Sequence, residues 1–416
     1  MNILWIKAGG LVPLDAGGKI RSYHILRELS HEHDVTLFTF YAGHSNGEHS
    51  EVREMLTKVV CVPLNLPPSR SLRGLADYVV HSFSSHPYTM AKYYRPEVFH
   101  SFARLLESET YDLWICDFVY PAPLIPWDEP TPKILFAHNV EAQVWKRYHD
   151  VTRNPFLSLV TWREYHALAK AEKFYVQQAD HLLTVSELDR RFFSQYIDAY
   201  KITVIPTGVD TDYFQPTHGE ENPNSLVFTG SLDWLPNDDA MSYFLTELLP
   251  RIRYYVPQAT FCIAGRNPSP KIRALAIRHG VQVTGRVQDI RPYIRSAAVY
   301  VVPLRIGGGT RLKIFEAMAM GKAIISTSIG AEGLPVENGE NIIVRDDPDQ
   351  FALSAARLLL DSEYRRRLGS AARQLVSTNY SWKVAAAKFD MVLRKVVTKR
   401  AESLAISEKT RRLHVP

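Results

Sequence analysis

Short apolar runs alternate with amphipathic segments along most of the chain. In the N-terminal half these runs predict the strands Met1–Ile6, Asp34–Phe40, Lys58–Pro63, Leu113–Cys116, Lys133–Ala137 and His181–Val185. The gaps between them are long enough for helices, and the first contains a helical pattern that ends near Leu29. Buried strands that alternate with helices are typical of parallel βαβ units with right-handed crossovers.

A second series of the same kind begins at residue 225. Its predicted strands are Ser225–Thr229, Thr260–Ala264, Val281–Thr284, Ala298–Pro303 and Ala323–Ser326, and its predicted helices lie near Asp238–Leu249, near Ile272–Ile277 and from Thr310. The stretch between the two series contains Pro, Gly and charged residues without periodicity, which indicates a domain boundary. The pattern therefore predicts an α/β protein with two doubly wound domains that face each other.

The same changes in pattern set the predicted boundaries. Residues 1–205 form an N-terminal Rossmann-like domain, 206–224 a linker and 225–378 a C-terminal domain. Residues 379–398 form a helix that crosses back to the N-terminal domain, and 399–416 a flexible tail.

The composition of the chain excludes several classes of protein and kinds of site. The chain has 416 residues, of which 46% are hydrophobic and 22% charged, an ordinary globular balance. Its three cysteines are far apart, which excludes a disulfide framework or a paired-cysteine zinc site. A net charge of +5 is compatible with anionic ligands or an anionic membrane surface but does not single out nucleic acid. Because no apolar run has the length of a membrane span or the form of a signal peptide, we expect a cytoplasmic protein.

Residues 299–334 have the character of a phosphate-binding loop and helix. A predicted strand leads into Gly307–Gly309, and a helix begins near Thr310. Glycines let the backbone approach a ligand closely, and the free N–H groups and dipole of a helix N-terminus attract anions. Arg311 and Lys313 add positive charge beside them.

Glu316 lies further along the same predicted helix, about 9 Å from its start at 1.5 Å per residue. This is on the order of the span from a nucleotide's second phosphate to its ribose. Acidic side chains commonly contact ribose hydroxyls in α/β nucleotide sites. One helix could thus bind a diphosphate at its tip and a ribose further along; the alternative is a solvated glutamate beside a plain glycine turn.

Several segments together resemble the retaining glycosyltransferases of family 4, which have the GT-B fold of two Rossmann-like domains across a cleft. They are GGKIRSYHILREL, FAHNVEAQVW, LLTVSELD, VIPTGVDTDYF, FTGSLDWLPNDDA and GGGTRLKIFEAMAMGKAIISTSIGAEGL. More narrowly, the chain resembles the sugar transferases of bacterial exopolysaccharide and PEP-CTERM-associated clusters. The resemblance implies transfer of a sugar from a nucleotide diphosphate donor to a glycan or lipid-linked acceptor.

The resemblance also implies roles for residues of the C-terminal domain. The second Glu of the family's Glu-x7-Glu motif falls on Glu316 and contacts the ribose, whereas the first falls on Gly308 and is absent. The implied diphosphate-binding amides are those of Gly309, Thr310 and Arg311. The other implied donor-binding residues are Gly230, Gly285, Arg286, Val287, Gly307 and Gly308.

In the N-terminal domain the resemblance implies three further positions. Gly17 and Gly18 lie near the donor phosphate and the acceptor. His138, just after a predicted strand, reaches the transferred sugar. A plain βα turn and a structural histidine are the respective alternatives. No G-x-G-x-x-G fingerprint follows the first strand, which argues against a dinucleotide-dependent oxidoreductase.

One departure from the family pattern concerns charge. Many relatives have an Arg just after the glycine of FTGSLDWLPNDDA and a Lys six residues later, to neutralise the diphosphate. Here these positions are Ser231 and Asn237. We therefore predict that Arg311 and Lys313 replace part of this charge.

The Asp210–Asp212 segment spells a DxD sequence, which binds a metal in other transferase folds. It follows a proline and a glycine in the predicted linker, and aspartate favours turns. We interpret it as structural, so no metal or other cofactor is expected.

The segment Tyr88–Arg95 combines aromatics with Lys92 and Arg95, as a surface that contacts the acceptor or the inner membrane would; a partly exposed loop is the alternative. Two alternative functions remain open: a nucleotide-sugar epimerase of the same fold, and a non-catalytic nucleotide-sugar-binding protein.

Overall fold

The computed structural model describes residues 1–14, 16–43, 49–67, 71–81, 84, 86–152, 154–216, 221–306 and 312–413, with side chains for all of these except 151 and 403–413. The chain divides into two compact units. The N-terminal unit comprises Met1–Pro206 and Ala385–Pro416, and the C-terminal unit comprises Thr207–Val384.

The N-terminal unit contains a seven-stranded parallel sheet. Its strands are β1 (Asn2–Ala8), β2 (Asp34–Ala42), β3 (Lys58–Leu64), β4 (Leu113–Asp117), β5 (Lys133–Phe136), β6 (His181–Thr184) and β7 (Ile202–Val204). They lie in the order β3-β2-β1-β4-β5-β6-β7. The order changes direction between β1 and β4, and ligands of open α/β sheets bind at such switch points, outside the carboxyl ends of the strands.

Helices connect these strands. They are α1 (Gly17–Leu29), α2 (Ser50–Met55), α3 (Leu72–His81), α4 (Tyr88–Ala91), α5 (Pro96–Ser108), α6 (Glu141–Val151), α7 (Pro155–Gln178) and α8 (Glu187–Phe193). The longest, α7, starts where its sequence predicts a start: Asn154 accepts hydrogen bonds from two first-turn amides, and Pro155 occupies the first helical position.

The C-terminal unit contains a six-stranded parallel sheet. Its strands are β8 (Asn222–Thr229), β9 (Thr260–Ala264), β10 (Gln282–Val283), β11 (Ala297–Val302), β12 (Ala323–Ser326) and β13 (Ile343–Val344). They lie in the order β10-β9-β8-β11-β12-β13, with a switch point between β8 and β11. Every residue of β11 and β12 is buried, as expected for strands covered by helices on both faces.

The helices of this unit are α9 (Leu235–Tyr243), α10 (Leu249–Tyr255), α11 (Pro270–His279), α12 (Arg291–Ser296), α13 (Leu312–Ala319), α14 (Pro348–Leu360) and α15 (Ser362–Asn379). A π-helical turn, Phe244–Leu248, joins α9 to α10. The two parallel α/β sheets confirm the predicted fold class, and every predicted strand is present, with β10 shorter than expected.

The last helix, α16 (Trp382–Leu413), begins in the C-terminal unit, and its residues from Ala385 onward belong to the N-terminal unit. There Phe389 stacks on Trp5 of β1, with ring centroids 5.6 Å apart. The helix continues beyond residue 398, into the segment for which the sequence predicts a flexible tail.

Candidate functional site

Asp117, the last residue of β4, forms a fully buried network at the switch point of the first sheet. One carboxylate oxygen accepts hydrogen bonds from Lys7 Nζ (2.9 Å), Trp5 Nε1 (2.9 Å) and Ser22 Oγ (2.6 Å). The other accepts from His138 Nε2 at 2.7 Å. Burial opposes ionisation, but the charge of Lys7 and these donors hold the pKa of Asp117 well below its usual value.

His138 is buried beside this carboxylate, and both of its ring nitrogens form hydrogen bonds. Nε2 donates to Asp117, and Nδ1 lies 2.8 Å from a guanidinium nitrogen of Arg21, so Nδ1 is the acceptor. Burial is the main cause that lowers the pKa of His138 to about 3, which keeps the ring neutral. The predicted contact of His138 with the transferred sugar remains a prediction; in the structure the ring orients Arg21.

Gly18 is needed at the start of α1 because an aromatic ring packs against it. A Cβ at this position would lie 2.6 Å from Cζ of Phe118 and 3.8 Å from Nδ1 of His138. The Phe118 ring in turn stacks on His138 with centroids 4.0 Å apart. The structure thus brings the predicted residues Gly18 and His138 together, with Gly17 as the first residue of α1.

In the C-terminal unit, the ends of adjacent strands meet at glycines. A Cβ on Gly265, which follows β9, would lie only 1.8 Å from the carbonyl oxygen of Gly230, which follows β8. Gly265 also forms an isolated β-bridge with Gly285, beyond β10. Gly230, Gly265 and Gly285 therefore lie together at one edge of the second sheet. The exposed Arg286 and the partly buried Val287 follow Gly285 in the chain.

Two cationic side chains lie beside Ser231 and Asn237, the positions at which the family resemblance implies a basic pair. Lys313, at the start of α13, donates a hydrogen bond from Nζ to Oδ1 of Asn237 at 2.9 Å. Arg266 Nε donates to Ser231 Oγ at 2.6 Å. The local positive charge is thus present, although neither Ser231 nor Asn237 supplies it. The sequence did not single out Arg266 as a source of this charge.

Glu316 lies one turn beyond Lys313 on α13. Burial is the main cause that raises the pKa of its carboxyl to about 7, and the charge of Lys313 opposes the shift. Among the described residues, no side chain or backbone amide donates a hydrogen bond to this carboxyl. A half-buried carboxyl without an internal donor is suited to accept hydrogen bonds from a ligand's hydroxyls.

The remaining predicted donor-binding residues are Gly307, Gly308, Gly309, Thr310 and Arg311, and these lie outside the described residues. Lys313 and Glu316 are therefore the members of the predicted loop-and-helix site whose geometry is defined.

The DxD segment forms a turn. The Oδ1 of Asp210 accepts hydrogen bonds from the backbone amides of Asp212 (3.2 Å) and Tyr213 (2.9 Å). Arg373 donates to the carbonyl oxygen of Thr211 at 3.2 Å. One carboxylate of the pair thus caps its own turn, which is the structural role that the sequence suggested.

Known proteins match both units. The sequence profile described as Glycosyltransferase Family 4 matches residues 16–213, and that described as Glycosyl transferases group 1 matches residues 223–361. Together they span most of the chain.

Among curated proteins, a GDP-mannose-dependent α-(1-6)-phosphatidylinositol monomannoside mannosyltransferase of Mycobacterium tuberculosis is 27% identical over 49% of this chain. The chain spans 58% of the length of that relative. An uncharacterized 44.6 kDa protein in the cps region of Klebsiella pneumoniae is 23% identical over 82% of this chain and 86% of its own.

Solved structures show the same architecture. Sucrose-phosphate synthase from Thermosynechococcus elongatus superposes with a TM-score of 0.73, at 16% identity over 96% of this chain and 99% of its own. Anabaena HepE in complex with UDP and glucose gives a TM-score of 0.66, at 15% identity over 94% and 99%. With its two parallel α/β sheets and a family profile matched on each unit, the chain belongs to glycosyltransferase family 4 and has the GT-B fold.

Proposed function

We propose that this protein transfers a sugar from a nucleotide diphosphate donor to a hydroxyl group of a glycan or lipid-linked acceptor, with retention of anomeric configuration. The observation that supports this most directly is the carboxyl of Glu316, half-buried and without a donor among the described residues, one turn from the Lys313 cation. Ribose hydroxyls would donate to Glu316, while the diphosphate would lie towards Lys313.

The chemical difficulty of the reaction is the negative charge that develops on the departing diphosphate. Cations that are already in position stabilise such charge without reorganising during the reaction. Lys313 is held by Asn237, and Arg266 by Ser231, before any ligand binds. We assign these two side chains to the diphosphate, together with Arg311 from the predicted loop. This assignment requires no metal.

In the N-terminal unit we propose that the Asp117 network orients Arg21 toward the carboxyl edge of its sheet. Neutral His138 is the link, because it joins the Asp117 carboxylate to the guanidinium through its two nitrogens. His138 would thus act on the transferred sugar by orienting its neighbours. A general-base role would first require it to give up the Arg21 hydrogen bond.

A role in exopolysaccharide or cell-surface polysaccharide synthesis is part of the proposal. It is supported by the similarity to the protein from the Klebsiella cps region. The mannosyltransferase named above acts on a phosphatidylinositol monomannoside according to its name, which favours a lipid-linked acceptor. The family match does not favour the epimerase alternative.

The experiment is a thermal-shift panel of UDP-, GDP-, dTDP- and ADP-sugars with wild type and Glu316→Ala. We expect one nucleotide class to raise the melting temperature of the wild type and to lose most of this shift in the variant. Transfer of the identified sugar to an extracted lipid-linked glycan then tests the reaction itself. If a donor binds but transfer never occurs, the non-catalytic alternative is correct. If Glu316→Ala binds every donor as wild type does, the site assignment is wrong.

A further inference from the structure

Helix α3 of the N-terminal unit has its apolar side turned to solvent. Leu72, Leu75, Ala76, Val79 and Val80 follow the i, i+3, i+4, i+7, i+8 spacing of one helical face, and all are exposed, Leu72 at 87% and Val80 at 68%. We name these five residues the outer face of α3. Helices of globular proteins normally bury such a face, so an exposed one indicates an interaction surface.

The polar side of α3 faces the protein instead. Asp77 accepts hydrogen bonds from Arg95 at 2.8 Å and from the Tyr88 hydroxyl at 3.0 Å. The only acidic side chain of the helix is thus paired with a cation. Arg73, on the exposed side, is the remaining formal charge.

The neighbouring helix α7 exposes the same kind of surface. Its first two turns present Phe156, Leu157, Leu159 and Trp162 to solvent, and its later turns present Lys170 and Lys173. The two helices are adjacent, because the guanidinium of Arg163 on α7 lies over the ring of Tyr78 on α3, 5.9 Å from its centroid.

Both acidic residues of α7 point into the protein, where they accept hydrogen bonds from backbone amides. Glu164 accepts hydrogen bonds from the backbone amides of Tyr88 and Thr89 at the start of α4. Glu172 accepts from the amides of Glu141 and Ala142 at the start of α6, at 2.7 and 3.0 Å. The exposed side of α7 therefore combines apolar, aromatic and basic residues with no negative charge.

We infer that the outer face of α3 and the exposed side of α7 bind an anionic lipid surface. Apolar and aromatic side chains that enter the headgroup region, next to lysines that contact anionic lipids, are the features of interfacial helices. Helices that cross the bilayer are not needed, and none in the described ranges combines the required length and apolarity. The inference concerns a surface outside the donor site, so it goes beyond the proposed function and does not depend on it.

This surface differs from the segment Tyr88–Arg95 that the sequence suggested. Lys92 Nζ lies 4.9 Å from the centroid of the Tyr93 ring, and burial lowers the pKa of its ammonium group. Arg95 is paired with Asp77. Both cations are thus used within the protein, and the exposed apolar and basic groups lie on the two helices beside them.

The test is co-sedimentation of the full chain with vesicles of phosphatidylcholine alone or with added phosphatidylglycerol. We expect binding only to the anionic vesicles, with a decrease at high salt. The variants Leu159→Gln/Trp162→Gln, Val79→Gln/Val80→Gln and Lys170→Glu/Lys173→Glu should each lower the partition coefficient by about tenfold or more. All six residues are exposed, so their melting temperatures should match that of wild type.

Matched controls come from the C-terminal unit. Ile277→Gln removes an apolar side chain that is 83% exposed, and Lys271→Glu reverses an exposed charge on the same helix. Both should bind vesicles within about twofold of wild type. Failure of wild type to bind anionic vesicles, or equal binding by the α3 and α7 variants, would overturn the inference. So would a wild-type dimer in light scattering that Leu159→Gln/Trp162→Gln dissociates while vesicle binding is absent, because the surface would then contact a second copy.

Discussion

The side-chain nitrogen of Lys313 lies 2.9 Å from Oδ1 of Asn237, so a cation from helix α13 lies beside the position at which the family resemblance implies a lysine. The same relationship occurs one strand away, where Arg266 donates a hydrogen bond to Ser231 at 2.6 Å. We therefore predict an exchange, in which these two cations from other elements replace the basic pair that the family resemblance implies. This relationship can be tested by moving each charge back.

We predict that Lys313→Ala lowers kcat/KM about 100-fold, because a cation at the developing diphosphate charge is lost. In that background, Asn237→Lys should recover most of the loss by returning the charge from the neighbouring side chain. Steady-state kinetics on the single and double variants give both numbers. Arg251→Ala, which removes a surface cation of α10 paired with Glu247 and Asp349, is the control. A double variant no better than Lys313→Ala would contradict the exchange.

The corresponding test at the end of the next strand combines Arg266→Ala with Ser231→Arg. The second substitution returns the positive charge from the position of Ser231. Loss of the guanidinium should lower kcat/KM by about tenfold or more, and Ser231→Arg in the same background should recover it. Unchanged kinetics for Arg266→Ala would show that its hydrogen bond to Ser231 only stabilises the loop.

The raised pKa of Glu316 predicts opposite effects on stability and on donor binding. The carboxyl has its ordinary pKa of 4.5 in the unfolded chain and one of about 7 in the folded protein. The folded protein therefore binds the proton more tightly, and this contribution to the free energy of unfolding is complete below pH 4.5 and is lost as the pH rises through about 7. Glu316→Gln avoids the charged form, so its melting temperature should exceed that of wild type at pH 8.

Donor affinity should show the reverse. The ionised carboxylate is the stronger acceptor for ribose hydroxyls, so wild-type affinity should rise between about pH 6 and 8. Glu316→Gln should bind the donor about tenfold or more weakly at pH 8 and should lack this pH dependence. Calorimetric titration with the donor at several pH values measures this affinity. A variant with the wild-type profile would assign the ionisation to another group.

Asp117 is predicted to be a major determinant of the stability of the N-terminal unit. Asp117→Asn leaves the buried ammonium of Lys7 without its counter-ion and should cost about 3–5 kcal/mol in the free energy of unfolding. Urea denaturation followed by circular dichroism measures this. The control is Asp239→Asn, which breaks the surface pair with Arg305 and should cost less than about 1 kcal/mol. Equal effects of the two substitutions would contradict the role of the buried network.

Close packing at Gly18 gives a further prediction. Gly18→Ala places a methyl group against the Phe118 ring and should destabilise the protein by about 1–3 kcal/mol, with loss of transfer activity as the stacked His138 is displaced. Phe118→Leu in the same background should restore part of the stability, since the smaller side chain leaves room. Thermal unfolding and the transfer assay are the two measurements. Wild-type values for Gly18→Ala would contradict the packing.

The sequence by itself determined the two parallel α/β units, because apolar runs separated by helix-sized gaps have few other ways to bury their surface. It also singled out Lys313, Gly18 and His138, which lie at the start of a helix or just after a strand, and Glu316, which lies one turn further along α13; their roles stay predictions. The edge strands β7 and β13 were not predicted from the pattern, because two or three residues are too few to show periodicity.

Only the tertiary structure decided which side chains meet. The pairing of Arg266 with Ser231, and of Lys313 with Asn237, joins residues that are 35 and 76 positions apart, and local pattern carries no information about such contacts. Nor could the local pattern show that the outer face of α3 and the exposed side of α7 point to solvent. A helical period shows that one face is apolar, but the direction in which it points is set by the hydrogen bonds that neighbouring helices require from the other face.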